Sequence, residues 1–413
     1  MNYSISIKEY VLKTISNSLK QPYGLIKKPF IDPGAGYSGS LWDWDSYWTS
    51  LALMKAFDVI DEESLQKAGV TREKVAMHAK GSVENFLDHQ SSDGYIPLTI
   101  QGEGLFSYCF SEEHAKGKEI NQMKPFLCGA TLNASKFTND YTWFDENKLI
   151  KYMEFYEQNQ KDNDTGLFYW IDDIMIGIDN NPTVYFRPNK SSADIYLNCF
   201  VYAEYLALSE ILKIKGHQSY NTYTEKANAL KDSINKYMWD ERDGLYYSQD
   251  IGFNYETRKI STFVFHKNLL PKWKCLPLKI RFWGCFLPLL VGICDKERAN
   301  RVVNHILDEN VLSPYGIRTL SKDEPMYSRE KSSNPSNWLG AIWNVASYCV
   351  IEGLEKYGYH SIAKSIKERT VKLYGENLIK YGEFFESYDP ESGEPNLHPG
   401  FMSWNLLILQ MLD

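Results

Sequence analysis

The sequence has 413 residues, of which 43% are hydrophobic, and a formal net charge of −8 from 45 basic and 53 acidic side chains. A chain of this length can bury one large core or two smaller ones. The mild acidic balance, without a long run of Lys and Arg, argues against a general affinity for nucleic acid or for an anionic membrane.

The predicted elements are mostly helices. Hydrophobic stripes at helical spacing run along the chain over residues 5–20, 45–57, 72–89, 145–159, 192–214, 221–238, 296–308, 338–355 and 359–376. Clusters of Gly, Pro, Asn and Asp separate them, and alternating strand patterns are scarce. No low-complexity linker divides the chain, so we expect a single domain over residues 1–413. The rhythm of paired helices with long, aromatic-rich loops suggests a helical toroid.

One stretch, residues 101–124, has no clear periodicity. A long loop in a compact domain is usually functional or mobile, so this segment is a candidate lid.

The cysteine pattern, the N-terminal residues and the longest apolar run indicate the cellular compartment. Seven scattered cysteines, without a CxxC pair, fit reduced thiols in a cytoplasmic protein. Residues 1–20 lack the pattern of a signal peptide. The apolar run from Cys285 to Cys294 contains a proline and is too short to span a bilayer. We therefore expect a cytoplasmic protein with no membrane partner.

Common catalytic motifs are missing from the sequence. It has no GxGxxG or GxxxxGK[ST] motif for nucleotides and no GxSxG nucleophile elbow. The eight histidines show no ligand spacing, so each is expected to be a solvated or internally satisfied side chain. Catalysis is therefore expected to use carboxylates, without a metal ion or other cofactor.

The segment YSGSLWDWDSYWTSLAL, residues 37–53, combines stacking rings with carboxylates just before a helix. In one interpretation, Asp45 or Ser46 caps the helix and the tryptophans pack in the core. In the favoured interpretation, Trp42 and Trp44 stack on the apolar face of a sugar while Asp45 binds its hydroxyls.

The segment TGLFYWIDDIMIGIDNNPTVYFRP, residues 165–188, contains a possible general acid. Asp179 lies in an acidic turn, and without other motifs an Asp-Asn-Asn-Pro segment would be interpreted as an ordinary turn. Apolar neighbours such as Ile178 would raise the pKa of its carboxyl and keep it protonated. On sequence grounds alone, Asp172 and Asp173 are rival candidates.

Two later segments complete the set. YGEFFESYDPESGEPNLHPGFMSWN, residues 381–405, holds five carboxylates, of which Glu386 alone sits among aromatic residues. NPSNWLGAIWNVASYCVIEGL, residues 334–354, places Trp338 and Trp343 before a long helix, either as packing residues or as walls of a sugar pocket.

These segments, in this order, resemble a group of glycosidases that includes trehalases, glycoside hydrolase family 63 and the mannosylglycerate and glucosylglycerate hydrolases. LWDWDSYW resembles that group's segment for the terminal sugar, and NQMKP its sugar-binding segment around a glutamine, here Gln122. IGIDNNP resembles the segment of the general acid, here Asp179. ESYDPESG resembles the segment of the general base, here Glu386. NWLGAIWN resembles a further tryptophan segment of the group.

The resemblance covers the chain from about residue 30 onward and implies an all-α fold, an (α/α)6 barrel. It also implies inverting hydrolysis of an α-glycosidic bond without a cofactor, with a small carbohydrate as the partner. The substrate-binding residues expected with it are Tyr37, Trp42, Trp44, Asp45, Gln122, Arg187, Trp338, Trp343 and Trp404.

Four positions depart from the group's pattern. Leu339 and Ala341 stand where Arg and Pro are usual, and Ile176 stands where Ser is usual. The usual arginine after the acid is Thr183 here, although Arg187 is nearby. These departures concern the leaving-group subsite and not the two carboxylates.

The predicted substrate is a small α-glucoside or α-mannoside, either a mannosylglycerate- or glucosylglycerate-like compound or a disaccharide. A trehalase proper is an alternative. A sugar isomerase or epimerase on the same barrel is another, although it would need histidines in the pocket. The last alternative is a carbohydrate-binding protein without catalysis.

Overall fold

The computed structural model describes residues 3–103, 105–253, 258–265, 272–330 and 336–412. Helices account for most of its regular structure. The α-helices, in chain order, are α1 (Tyr3–Thr14), α2 (Asp43–Ala56), α3 (Glu62–Lys67), α4 (Arg72–Asp88), α5 (Leu105–Ala115), α6 (Leu127–Thr138), α7 (Glu146–Asn159), α8 (Ile195–Ile214), α9 (Tyr220–Ser233), α10 (Leu287–Val291), α11 (Lys296–Ile306), α12 (Asn344–Lys356) and α13 (His360–Tyr381). Helical turns of 3₁₀ type span Ile15–Ser18, Ala35–Tyr37, Trp283–Phe286 and Ser403–Met411, and a π-turn spans Ile234–Met238.

Six elements form a closed inner ring. In order they are α2, α6, α8, α10 with the turn before it, α12 and the C-terminal 3₁₀ helix Ser403–Met411. Each contacts the next, and the last contacts the first. The elements that alternate with them along the chain, namely α1, α4, α7, α9, α11 and α13, form the outer layer. This arrangement of six helical hairpins confirms the predicted (α/α)6 barrel.

The two layers differ in how their sequences are buried. The outer helix α9 buries Tyr223, Ala227 and Leu230, one stripe at helical spacing. The inner helix α8 buries most of its residues on all sides. Among the described residues, α8 is long and apolar enough to cross a membrane by length and composition, but 83% of its apolar window is buried in the protein, as expected for a core helix.

The strands are short connectors. They are β1 (Leu19–Lys20), β2 (Phe30–Ile31), β3 (Ser40–Trp42), β4 (Thr99–Gln101), β5 (Ser192–Ala193), β6 (Trp239–Asp240), β7 (Leu245–Tyr246), β8 (Gln249–Asp250), β9 (Arg258–Ile260), β10 (Phe263–Phe265), β11 (Leu276–Pro277), β12 (Leu312–Ser313), β13 (Gly316–Ile317), β14 (Ser387–Tyr388) and β15 (Pro395–Leu397). Neighbours pair antiparallel, with β8 between β5 and β11. Strand β3 pairs with β4 and leads directly into α2, which fixes the start of that inner helix.

Two of the predicted segments differ from the observed structure, and α6, α10 and the C-terminal 3₁₀ helix had no predicted stripe. The stripe predicted from residue 338 begins as a helix only at Asn344, because residues 338–343 are non-helical, with a bend at Gly340 and an isolated bridge from Ile342 to Tyr388. The segment 101–124 is not a continuous loop, since it contains α5, and Asn121, Gln122 and Lys124 at its end are buried. Whether the segment acts as a lid stays a prediction.

Candidate active site

Three of the inner elements, α2, α12 and the C-terminal 3₁₀ helix, begin beside a cavity of about 410 Å³. Its lining residues are Tyr37, Trp42, Trp44, Asp45, Lys124, Asp173, Ile174, Met175, Gly177, Asp179, Tyr185, Ser336, Trp338, Trp343, Glu386 and Trp404. Trp44 and Asp45 lie in the first turn of α2, Trp343 immediately precedes α12, and Trp404 is the second residue of the C-terminal 3₁₀ helix. The positive ends of several helix dipoles therefore face a cavity rich in carboxylates.

All the residues predicted for the site line this cavity except Gln122 and Arg187. Gln122 is buried, and its Nε2 donates to the carbonyl of Tyr152 at 3.3 Å. Arg187 pairs with Asp250 at 2.7 Å. The structure therefore does not place these two side chains on the cavity wall.

The tryptophans form a continuous aromatic wall. The ring of Trp44 packs against Trp338 at 5.7 Å and against Trp404 at 5.1 Å between centroids. Trp338 in turn stacks on Trp343 at 3.9 Å with an interplanar angle of 10°. Trp42 is the partly exposed member of the set. Such faces suit the apolar side of a sugar ring, and the same rings pack against one another in the wall.

The dense motif 37–53 divides between the cavity and the core. Trp48 is buried away from the cavity against Tyr47 and Phe126. Helix α2 starts at Asp43, so the interpretation of Asp45 or Ser46 as its cap is wrong.

Asp43 forms a buried ion pair that the sequence did not reveal. Its Oδ1 accepts from the backbone N–H of Trp44 at 2.7 Å, and its Oδ2 accepts from that of Lys124 at 2.7 Å. The ammonium group of Lys124 lies 2.8 Å from Oδ1, and the side chains are 3% and 0% exposed. Lys124 belongs to the NQMKP segment, where Gln122 had been the expected contact.

Gly177 allows the segment that carries Asp179 to approach this pair. Its φ is +92°, a backbone conformation that favours glycine. A Cβ at this position would lie 3.1 Å from Cδ of Lys124 and 3.4 Å from the ring of Trp44. A larger residue would therefore be strained at this φ and would crowd the side chain of Lys124.

Asp45 points into the cavity from a fully buried position. Ser403 Oγ donates to its Oδ1 at 3.0 Å. Burial raises the pKa of Asp45 to about 8, although Ser403 and the charge of Lys124 act in the opposite direction. A buried carboxyl with few partners is well suited to binding sugar hydroxyls.

Glu386 is held at the start of a hairpin made by β14 and β15. Its backbone N–H donates to the carbonyl of Leu397 at 2.9 Å. The phenol of Tyr37 donates to both carboxylate oxygens, at 3.3 and 3.4 Å, and Nδ1 of His398 lies 2.5 Å from Oε2. Burial raises the pKa of Glu386, while the contacts with His398 and Tyr37 lower it.

His398 was missed by the sequence analysis. It lies 12 residues after Glu386, and no motif spacing marks it. Its backbone is left-handed, with φ +38°, a conformation that costs a non-glycine residue energy and is retained where geometry matters. Its ring also meets that of Tyr37 edge-on at 5.0 Å.

Three of the other four carboxylates of residues 381–405 form ion pairs outside the cavity. Asp389 pairs with Arg329 at 2.8 Å, Glu391 with Arg318 at 2.7 Å, and Glu394 with Lys380 at 2.5 Å. Of the five carboxylates in this segment, Glu386 alone lines the cavity, as its aromatic surroundings predicted.

Asp179 reaches the cavity from the long connection before α8. The turn after it is anchored to Asp194, which accepts from Nδ2 of Asn181 at 3.1 Å. The negative charge of Asp179 also raises the pKa of Glu386, so the two carboxyls interact electrostatically. Of the rival acids, Asp173 lines the cavity, whereas Asp172 accepts from Nδ2 of Asn121 at 2.9 Å and does not.

A metal site is not visible in the described parts of the chain. Among those residues, no group of three or more His, Cys, Asp or Glu side chains is placed to hold a metal ion.

Comparison with known proteins supports a relation to glycoside hydrolases. The model of a family described as the mannosylglycerate hydrolase MGH1-like glycoside hydrolase domain matches residues 77–404. The family 63 mannosylglycerate hydrolase of Thermus thermophilus, solved with glucose, is similar with a TM-score of 0.68 at 17% identity, over 96% of this chain and 98% of that one.

Two further structures extend the likeness. The same Thermus thermophilus enzyme, solved with Tris and D-glycerate, gives a TM-score of 0.69 at 16% identity, over 98% of this chain and 99% of that one. Neutral trehalase from Saccharomyces cerevisiae gives 0.59 at 16% identity, over 94% of this chain and 74% of that one. At these identities the likeness establishes a shared barrel fold.

Proposed function

Because the chain belongs to the mannosylglycerate hydrolase MGH1-like glycoside hydrolase family, we propose that it cleaves the α-glucosidic or α-mannosidic bond of a small glycoside with inversion. The observation that carries the proposal is that Asp179 and Glu386 line one cavity with aromatic walls. Glycosidases use such a pair of carboxyl groups on either side of the scissile bond.

In the proposed mechanism, Asp179 is the general acid and protonates the leaving oxygen. Glu386 is the general base and takes a proton from a water molecule on the opposite face of the sugar. The transition state resembles an oxocarbenium ion, and nearby carboxylates and aromatic faces stabilise its positive charge. No step requires a cofactor.

The surroundings of Glu386 support its assignment as base. The carboxylate must be ionised to accept a proton, whereas burial alone opposes ionisation. The contacts from Tyr37 and His398 stabilise the ionised form and fix the direction of its oxygens. His398 is therefore a positioning residue for the base.

The cavity supports a small substrate. A volume of about 410 Å³ is at the lower end of the range for small-molecule sites. Trp42 and Trp44 would stack on the terminal sugar, and Asp45 would bind its hydroxyls. A mannosylglycerate- or glucosylglycerate-like compound or a disaccharide such as trehalose is the right size.

The test is hydrolysis of a panel of small α-glycosides, followed by proton NMR of the first product before mutarotation. We expect the released sugar to have the opposite anomeric configuration to the substrate. Glu386→Gln and Asp179→Asn should each lose most activity. Retention of configuration would make Glu386 a nucleophile, and conversion of free hexose without glycoside cleavage would favour an isomerase.

A further inference from the structure

The cavity has a buried end and an exposed rim. Trp44, Asp45 and Trp404 form the buried end. The rim is formed by the segment 173–175, in which Ile174 is 53% exposed, and by Tyr185. If the proposed function holds, the terminal sugar occupies the buried end and the leaving group lies at the rim.

The charges around the cavity are mostly negative. Four carboxyl side chains line it, those of Asp45, Asp173, Asp179 and Glu386. Asp173 lies on the segment that forms the rim, and Glu386 must be ionised to act as the base of the proposed mechanism. Oδ2 of Asp173 accepts one backbone N–H, that of Phe186 at 3.3 Å, which does not cancel its charge.

In the described part of the chain, the cations near the cavity are already paired. Among the described lining residues, Lys124 carries the single positive side chain. Its ammonium group lies 2.8 Å from Asp43 and donates to the carbonyl of Met175 at 3.2 Å, so its charge is balanced within the wall. Arg187, on the same connection as Asp173, is paired with Asp250.

From this arrangement we propose that the rim accepts neutral or cationic leaving groups and disfavours anionic ones, with Asp173 as a specificity-determining residue. The inference rests on the proposed function. In a 2-O-glycoside of glycerate, the carboxylate is attached to the carbon that carries the glycosidic oxygen. It would therefore lie close to the general acid and to the carboxyl of Asp173 at the rim, where like charges repel. The corresponding glycoside of glycerol has a neutral hydroxymethyl group at that place.

The experiment compares the 2-O-α-glycosides of glycerol and of D-glycerate with the same sugar, glucose or mannose. We expect kcat/KM for the glycerol compound to be higher by about tenfold or more, since like-charge contacts in such sites are costly. The ratio of the two kcat/KM values should decrease in about 0.5 M NaCl, where charges at the exposed rim are screened. Asp173→Asn should also decrease this ratio. The control is Asp164→Asn, an equal change in net charge at an exposed position, which should leave the ratio unchanged.

The outcomes separate the two proposals. Faster hydrolysis of the glycerate compound by the wild type would overturn the inference and leave the hydrolase function intact. Loss of turnover of both compounds in Asp173→Asn would make Asp173 the general acid and would also overturn it. Turnover of neither compound would count against the proposed function. Tryptophan fluorescence titration of the wild type would then still decide the inference, and tighter binding of the glycerate compound would refute it.

Discussion

Asp45→Asn is expected to make the protein more stable and less active. The carboxyl is fully buried, and burial raises its pKa from 3.8 to about 8. The folded state therefore binds a proton more tightly than the unfolded state does, and the stability of the wild type falls as pH rises from 3.8 towards 8. An amide at this position has no charge to bury and keeps an oxygen that can accept from Ser403.

The magnitude follows from the linkage between the pKa and unfolding. Each pH unit in this window costs the wild type about 1.4 kcal/mol. Between pH 5 and pH 7, the advantage of Asp45→Asn should therefore grow by up to about 3 kcal/mol. A chain of this length gains roughly 1–2 °C in Tm per kcal/mol, by extension of the size scaling, so the advantage should grow by about 3–6 °C.

The assay is thermal unfolding of both proteins at pH 5 and pH 7, together with kcat/KM. Changing the carboxyl that binds the sugar hydroxyls should lower kcat/KM by up to about 10-fold, since a hydrogen bond between uncharged groups contributes about 0.5–1.5 kcal/mol. Asp43→Asn is the matched contrast, since it would leave Lys124 buried without its partner and should destabilise the fold by about 3–5 kcal/mol. If Asp45→Asn lowers Tm by the same amount at both pH values, the buried-charge argument is wrong.

Three further predictions concern the site. Asp179→Asn should lower kcat for poor leaving groups by about 10²–10⁴-fold at an unchanged Tm; near-normal activity would exclude Asp179 as the acid. His398→Gln should move the acid limb of the kcat/KM–pH profile to higher pH, because the contact with His398 lowers the pKa of Glu386 and the variant loses it. If the acid limb does not move, the contact has only a structural role. Trp42→Ala should raise KM with little change in Tm. Trp44→Ala should also cost about 3–5 kcal/mol of stability, because Trp44 is buried in the aromatic wall. If both variants lose the same amount of Tm, Trp42 is a packing residue too.

Sequence periodicity located the outer helices better than the inner ones. An outer helix such as α9 has one buried stripe and a polar face, which is the pattern that periodicity detects. The inner elements α6 and α10 and the C-terminal 3₁₀ helix were not predicted. They are short and buried on most sides, so no polar face marks their helical repeat.

The sequence by itself determined the all-helical class and the aromatic and acidic residues that line the cavity, because these signals lie within short, dense segments such as LWDWDSYW and IGIDNNP. The tertiary structure decided the rest. It pairs Asp43 with Lys124 across 81 positions and sets His398 against Glu386. It also turns Arg187 to Asp250, away from the cavity wall. Such contacts depend on how the barrel closes. Burial and charge pairing are set by neighbours in space, and residues far apart in the sequence give no local pattern that predicts them.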